Sequence, residues 1–193
     1  MALFPRCNHP VSVAGRHGLT LVGCHSCIQC RVAAQEHLCK LKKGSSFAGC
    51  IRYVTGKDEA KILASDGVLL GTNAEMMQSF ELQRQLNPRI KKPVGHIALS
   101  FKPEDKPRLT DEFMAKIALE YMQMMGIKDT QFIIVRHHNT DNPHCHIVYN
   151  RINNEGKLIS DRNDYRRNEQ VTKALKSNSK RRFLRNTKYH SIL

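Results

Sequence analysis

The sequence lacks any long apolar segment. No part of it approaches the roughly 20 uninterrupted apolar residues that a membrane-spanning helix requires, so we do not expect an integral membrane protein. Acidic residues are also scarce, because the 193 residues include 17 Asp and Glu against 31 Lys and Arg, a formal net charge of +14. This surplus predicts a polyanionic partner, with nucleic acid the first candidate and a merely solvated basic surface the alternative.

The chain also lacks the cysteine pattern of a disulfide-stabilised protein. Its seven cysteines are an odd number, and no secretory signal precedes them, so we predict a cytoplasmic protein with free or metal-bound thiols. Cys24, Cys27 and Cys30 could bind Zn²⁺, but they do not form the two separated Cys-x2-Cys pairs of familiar zinc modules. Zinc is therefore the weaker interpretation of residues 1–38, and an extension without its own fold is the stronger one.

Hydrophobic periodicity predicts an α+β fold. Hydrophobic residues make up 40% of the sequence and charged residues 25%, the proportions of a globular domain. The apolar patterns predict strands at 39–43, 95–101, 131–137 and 144–151, and helices at 47–56, 73–86 and 110–126. The predicted helix N-caps are Ser45 or Ser46, Asn73 and Thr110. Because a short polar loop joins the last two strands, we expect an antiparallel sheet covered by helices.

The most specific motif is a group of histidines on the last predicted strand pair. His144 and His146 project from the same face of one strand, because side chains alternate along a strand. The short loop should bring His137, at the end of the preceding strand, beside them, whereas His138 points to the other face. Three neutral imidazoles can bind one divalent ion and leave positions open for a substrate. The alternative is a set of sheet-edge histidines satisfied by hydrogen bonds or solvent.

This motif resembles one found in DNA relaxases. The stretch from His137 to His146 is similar to the third relaxase motif, and His144-Cys145-His146 corresponds to its His-hydrophobic-His element. With residues 43–49, 83–101 and 136–151, it resembles the MobA/MobL-type relaxases, the mobilisation proteins of plasmids and transposons, in particular Bacteroides-like ones. The resemblance covers about residues 39–175. It implies an HUH endonuclease/relaxase fold, with the histidines on central strands, that nicks one DNA strand at an origin of transfer using Mg²⁺ or Mn²⁺ and a tyrosine.

The resemblance implies that Tyr53 is the nucleophile, since Ile51-Arg52-Tyr53-Val54 matches the family pattern near the start of the domain. Its phenol oxygen would attack the scissile phosphate and leave a 5′-phosphotyrosine and a free 3′-OH. From spacing alone, Tyr53 would be a core aromatic of an amphipathic helix. Tyr165 and Tyr189 lie in a basic segment, where stacking on bases is the expected role.

Four further residues are predicted to support the site. His96 matches a family His-x-x-x-Ser-Phe element, and we expect it to carry a proton or orient a ligand, or else to be a hydrogen-bonded sheet histidine. Asp141 is expected to orient a ligand imidazole through its second nitrogen, or only to form a turn. Asn150 and Arg151 also match the family, and we expect them to hold the strand end or a DNA phosphate.

Composition divides the chain into three predicted parts. They are a Cys-rich, poorly ordered extension (1–38), a catalytic core (39–164) and a basic C-terminal segment (165–193) that has nine Lys and Arg against one acid. Relatives usually start near residue 38 and continue further, so we expect translated upstream sequence at one end and truncation at the other. The residues of the basic segment predicted to bind the DNA backbone are Arg166, Arg167, Arg181 and Arg182; a solvated helix face is the alternative.

The expected partners are single-stranded DNA at an origin of transfer, accessory relaxosome proteins and a coupling protein, with no membrane. The histidine motif does not exclude a rolling-circle replication initiator or a transposase with the same chemistry, and only the matches outside it favour mobilisation. A truncated, inactive DNA-binding protein is the alternative from another functional class.

Overall fold

The protein core is a five-stranded antiparallel sheet flanked by helices, in a computed structural model that describes residues 39–187, with side chains up to residue 177. The strands are β1 (Cys39–Gly44), β2 (Lys61–Asp66), β3 (Val94–Ser100), β4 (Phe132–His137) and β5 (His144–Asn150). The helices are α1 (Phe47–Thr55), α2 (Asn73–Arg84), α3 (Asp111–Met124) and α4 (Asp164–Thr187), with a 3₁₀ helix at Pro103–Arg108. The sheet order is β1-β3-β5-β4-β2. The predicted α+β fold is confirmed, with β5 at the centre.

Each face of the sheet packs against its own pair of helices. On the front face, the buried residues of α1 and α2 contact four strand residues, Val94, Ile133, Val135 and Val148. On the back face, α3 and α4 pack against Ile97, Leu99, Ile134, Cys145 and Ile147. Because side chains alternate along a strand, the histidines of β4 and β5 share the front face with Val135 and Val148.

Side-chain caps explain where the helices begin. Ser46 caps α1 and Thr110 caps α3, as predicted, since each hydroxyl accepts a hydrogen bond from an amide three residues later. Asn73 is not the cap of α2. Thr72 takes that position because its hydroxyl accepts from the Glu75 amide while the Glu75 carboxylate accepts from the Thr72 amide. This reciprocal pair requires an acid three residues after the cap, which Thr72 has.

Strand β2 is the one strand of the described sheet that the sequence pattern does not predict. Its four central residues are all half-buried, so exposure does not alternate along it. The pairing register with β4 shifts between Ile62 and Ala64. A bulge of this kind at a sheet edge breaks the two-residue period on which strand prediction depends.

Gly95 is required by the close approach of a tyrosine. It pairs directly with Tyr149 on β5, and an added Cβ would overlap the Tyr149 ring. We expect Gly95→Ala to lower the free energy of unfolding by about 1–3 kcal/mol, the usual effect of overpacking a core, as measured by urea denaturation. Gly49→Ala is the control: it places a Cβ on α1 with nothing within 4 Å and should raise stability by up to about 1 kcal/mol. A Gly95→Ala protein as stable as the wild type would contradict this packing.

Several predictions concern parts of the chain outside the described residues. These are the extension at 1–38, the zinc site at Cys24, Cys27 and Cys30, the tyrosine at 189, and the side chains of Arg181 and Arg182. Within 39–187, none of the helices combines the length and apolarity needed to cross a bilayer.

Candidate metal centre and nucleophile

The sheet register brings the three predicted metal ligands together. His137 on β4 lies directly opposite His144 on β5, and His146 follows two residues later on the same face. One nitrogen of each ring lies within 4.8 Å of one nitrogen of the other two. The ring centroids are 4.4–5.3 Å apart. The three-histidine group could therefore hold a divalent metal ion.

Hydrogen bonds to backbone carbonyls fix two of these rings. Nε2 of His137 donates to the carbonyl oxygen of Val54 at 2.7 Å, and Nδ1 of His144 donates to that of Asn142 at 3.0 Å. A carbonyl oxygen only accepts, so each of these nitrogens carries the hydrogen of the neutral ring. The other nitrogen of each ring keeps its lone pair for a metal ion. Metal-binding histidines usually have such a second partner, which fixes the tautomer and the ring orientation.

The third ring, His146, is held by His96. Nε2 of His96 and Nδ1 of His146 are 2.9 Å apart, so one donates to the other. If His146 donates, its Nε2 is left for a metal ion. Burial lowers the pKa of His146 to about 3 and also lowers the pKa of His96 and His137 below the usual value, because the charged ring is poorly solvated there. These rings are therefore in the neutral form that binds metals.

The orienting role predicted for Asp141 falls to other residues of the same loop. Asp141 is exposed, whereas Asn142 contacts His144 through its carbonyl oxygen and the Thr140 hydroxyl lies 3.2 Å from the same ring nitrogen. The Thr140 hydroxyl donates to the Asn142 carbonyl, which ties the three groups together. The acceptor of His144 is a backbone carbonyl, so the residue types in the loop do not predict this contact.

Tyr53 lies over the histidines from the last turn of α1. Its ring centroid is 5.6 Å from that of His146, 5.8 Å from that of His96 and 6.4 Å from that of His137. The residue is 54% exposed, so the interpretation as a core aromatic is wrong. The buried face of α1 consists instead of Phe47, Ile51 and Val54. Tyr53 lies beside that face and remains open to solvent.

Asn150 and Arg151 lie at or just beyond the far end of β5 from His144, where they hold the strand end. The Asn150 amide donates to the Phe80 carbonyl at 3.1 Å, and its side-chain oxygen accepts from the Ile152 amide. The Arg151 residue is only 5% exposed, and its guanidinium donates to the Lys92 carbonyl and the Asp161 carboxylate. Buried and paired in this way, Arg151 is not available to a DNA phosphate, and Asn150 does not reach the metal centre.

The basic residues of α4 lie on the back of the sheet. Val171 and Leu175 anchor this helix in the back-face core, so Arg166 and Arg167 are on the side opposite the histidines. Arg167 donates to the carbonyls of Ser160 and Arg162, so its side chain links α4 to the preceding loop. Arg166 is exposed, and its contact with DNA stays a prediction.

The chain matches the family model for the MobA/VirD2-like relaxase nuclease domain over residues 53–180, more than half of its length. The protein is therefore a member of this relaxase family, within the HUH superfamily, and its substrate class is DNA. The matched region begins at Tyr53 and contains all three histidines. No curated protein and no solved structure matches the chain. The predicted family is confirmed, whereas the closer similarity to Bacteroides-like members stays a prediction.

Proposed function

We propose that this protein nicks one DNA strand at an origin of transfer and becomes covalently linked to it through Tyr53, so that a plasmid or transposon can be mobilised by conjugation. The observation that carries the proposal is the exposed phenol of Tyr53 above three converging imidazoles. A relaxase needs both parts, since a nucleophile must reach a phosphate whose developing charge is stabilised.

The donor set fits a divalent metal ion. Its three ligands would be imidazole nitrogens of His137, His144 and His146, with further positions open to oxygen atoms. Mg²⁺ prefers oxygen ligands, so of the two proposed ions Mn²⁺ is the better fit. The ion would polarise a non-bridging oxygen of the scissile phosphate and offset the charge that builds up during attack.

Tyr53 supplies the new bond in this reaction. Its phenol oxygen attacks the phosphorus, and the bond from phosphorus to the 3′ oxygen of the preceding nucleotide breaks. The phenol gives up its proton, and the departing oxygen takes up a proton to become a 3′-OH. No water is consumed, so the phosphotyrosine keeps the bond available for rejoining. His96 contacts His146, which supports a positioning role for it at the metal centre.

A covalent-adduct experiment tests the proposal. The protein would be incubated with Mn²⁺ and labelled single-stranded oligonucleotides tiled across the DNA beside its own gene. The proposal predicts one denaturation-resistant adduct, formed with one strand only. Binding without an adduct on any oligonucleotide would support the inactive DNA-binding alternative instead. A replication initiator or a transposase would share the adduct chemistry, and the family match favours mobilisation over both.

Metal binding should stabilise the folded protein. At Mn²⁺ concentrations 100 times the dissociation constant, binding to the folded state alone adds about 2.7 kcal/mol. For a chain of this size, the melting temperature should rise by about 5–10 °C, measured by differential scanning calorimetry with and without EDTA. His144→Ala should remove the increase and His138→Ala should not. An equal increase in both variants would place the metal ion elsewhere.

The proposed setting is the cytoplasm, where single-stranded DNA, accessory relaxosome proteins and a coupling protein would be the partners. The excess of Lys and Arg over Asp and Glu supports a DNA partner through its attraction to phosphates.

A further inference from the structure

The front face of edge strand β1 carries two exposed lysines beside the candidate metal centre. Lys40 and Lys42 alternate with Cys39 and Leu41, which pack into the back-face core. Because successive side chains point to opposite faces, both lysines lie on the histidine side of the sheet. Lys43 points to the back face instead, where its ammonium group is paired with Asp161 and Asp164 at 2.7 Å.

The sheet register places these lysines in line with the site. Lys42 lies opposite His96, and its charge adds to burial in lowering the pKa of that ring. Lys40 lies opposite Ala98, which in turn lies opposite His146. With neighbouring strands about 4.8 Å apart, Lys40 is about 10 Å from His146 at the level of the backbone.

The β3 surface between Lys40 and His146 carries only small side chains. Ala98 and Ser100 are the front-face residues of β3 in this region, and both are small and half-buried. On this part of β3, a nucleotide next to the scissile phosphate meets only small side chains. At about 10 Å, Lys40 is too far away to share the scissile phosphate, so it suits a neighbouring phosphate.

The charge of the two lysines is not neutralised within the described residues. No hydrogen bond or ion pair joins either ammonium group to a carboxylate in the part of the chain that the structure describes. Lys57 also contributes positive charge on the other side, near His137. It is followed in sequence by Asp58 and Glu59, so Lys40 and Lys42 form the stronger phosphate site.

On this basis, and resting on the proposed function, we infer that Lys40 and Lys42 bind two successive backbone phosphates of the DNA strand on one side of the nick. Residues two apart on a strand are about 6.6 Å apart, comparable to neighbouring phosphates on an extended single strand. Among the described residues, no strand pairs with the outer edge of β1, so the DNA can continue past the sheet on that side of the described core. The two lysines would thereby position the scissile phosphate beneath Tyr53.

The salt dependence of DNA binding tests this inference. The probe is a short, labelled, mixed-sequence single strand, because phosphate contacts do not depend on sequence. In the full-length Tyr53→Phe protein, Lys40→Gln/Lys42→Gln should reduce the slope of log affinity against log salt by about 1.4, or about 0.7 for each lost contact. The matched control, Lys116→Gln/Lys128→Gln, removes the same charge from exposed positions away from the front face and should leave the slope unchanged.

A second measurement tests the position of the contacts. The probe is then the DNA strand that forms the adduct, shortened on either the 5′ or the 3′ side of the nick. Shortening it on one side should abolish the difference in slope between the lysine variant and its parent, and shortening it on the other side should preserve that difference. An unchanged slope, or equal effects of shortening the two sides, would overturn the inference. These outcomes are separate from the proposed function, which is tested by whether the wild-type chain forms the adduct and by which tyrosine carries it.

Discussion

Tyr53→Phe should abolish the covalent adduct with DNA, with a loss of at least about 10³-fold, because no other group replaces a removed nucleophile. The fold should be unaffected. Tyr53 is 54% exposed, and its hydroxyl makes no hydrogen bond within the described residues, so little packing is lost. The measurement is the amount of adduct that survives denaturing electrophoresis after incubation with Mn²⁺.

Tyr165→Phe is the matched control for this variant. Tyr165 is 75% exposed and lies on α4, on the back of the sheet, so the same loss of a hydroxyl should leave the adduct unchanged. Melting curves of both variants should superimpose on that of the wild type. Undiminished adduct in Tyr53→Phe, or its loss in Tyr165→Phe, would show that the nucleophile is misassigned.

His144→Ala should abolish metal-dependent nicking while leaving DNA binding almost unchanged. Removing one of three ligands should exceed the roughly 10- to 100-fold effect of losing an outer partner of a metal site. Phosphate contacts dominate DNA affinity, so the dissociation constant should change little. Of the three histidines, His144 is the least buried, so its replacement should disturb packing least. Nicking rates and equilibrium binding should be measured on the same preparation.

His138→Ala provides the control for the metal centre. His138 directly follows His137 but is exposed and is not part of the three-histidine group. Its removal should leave nicking at the wild-type rate. Wild-type nicking by His144→Ala in Mn²⁺ would mean that the three-histidine group does not hold the catalytic ion.

A hydrogen bond connects the proposed metal centre to the helix that carries the proposed nucleophile. His137 donates its hydrogen bond to the carbonyl of Val54, the residue after Tyr53, so the last turn of α1 holds both a ring proposed to bind the metal ion and the proposed nucleophile. Val54 itself is fully buried against the sheet. A rigid connection of this kind keeps the phenol and the three-histidine group in a fixed relation before DNA binds.

The sequence alone predicts that the three histidines converge, because the patterns that determine their positions are local. A two-residue period places His144 and His146 on one face, and a short loop aligns His137 with them. Local patterns do not predict the exposure of Tyr53, since its position relative to the buried face depends on how α1 packs on the sheet. Two other contacts are also tertiary and could not be predicted from a local pattern. They are the ion pair between Arg151 and Asp161 and the hydrogen bond from His137 to the Val54 carbonyl. Strand β2 was not predicted because its bulge interrupts the two-residue alternation of buried and exposed residues.

The most direct test is to identify the residue that becomes attached to DNA in the presence of Mn²⁺. After the adduct is trimmed with nuclease and digested with protease, mass spectrometry should find a nucleotide on the phenol oxygen of Tyr53, and no attachment in His144→Ala. Attachment at Tyr165 or Tyr189 instead, or no attachment under conditions in which the DNA is bound, would contradict a nicking centre built from Tyr53 and the three histidines.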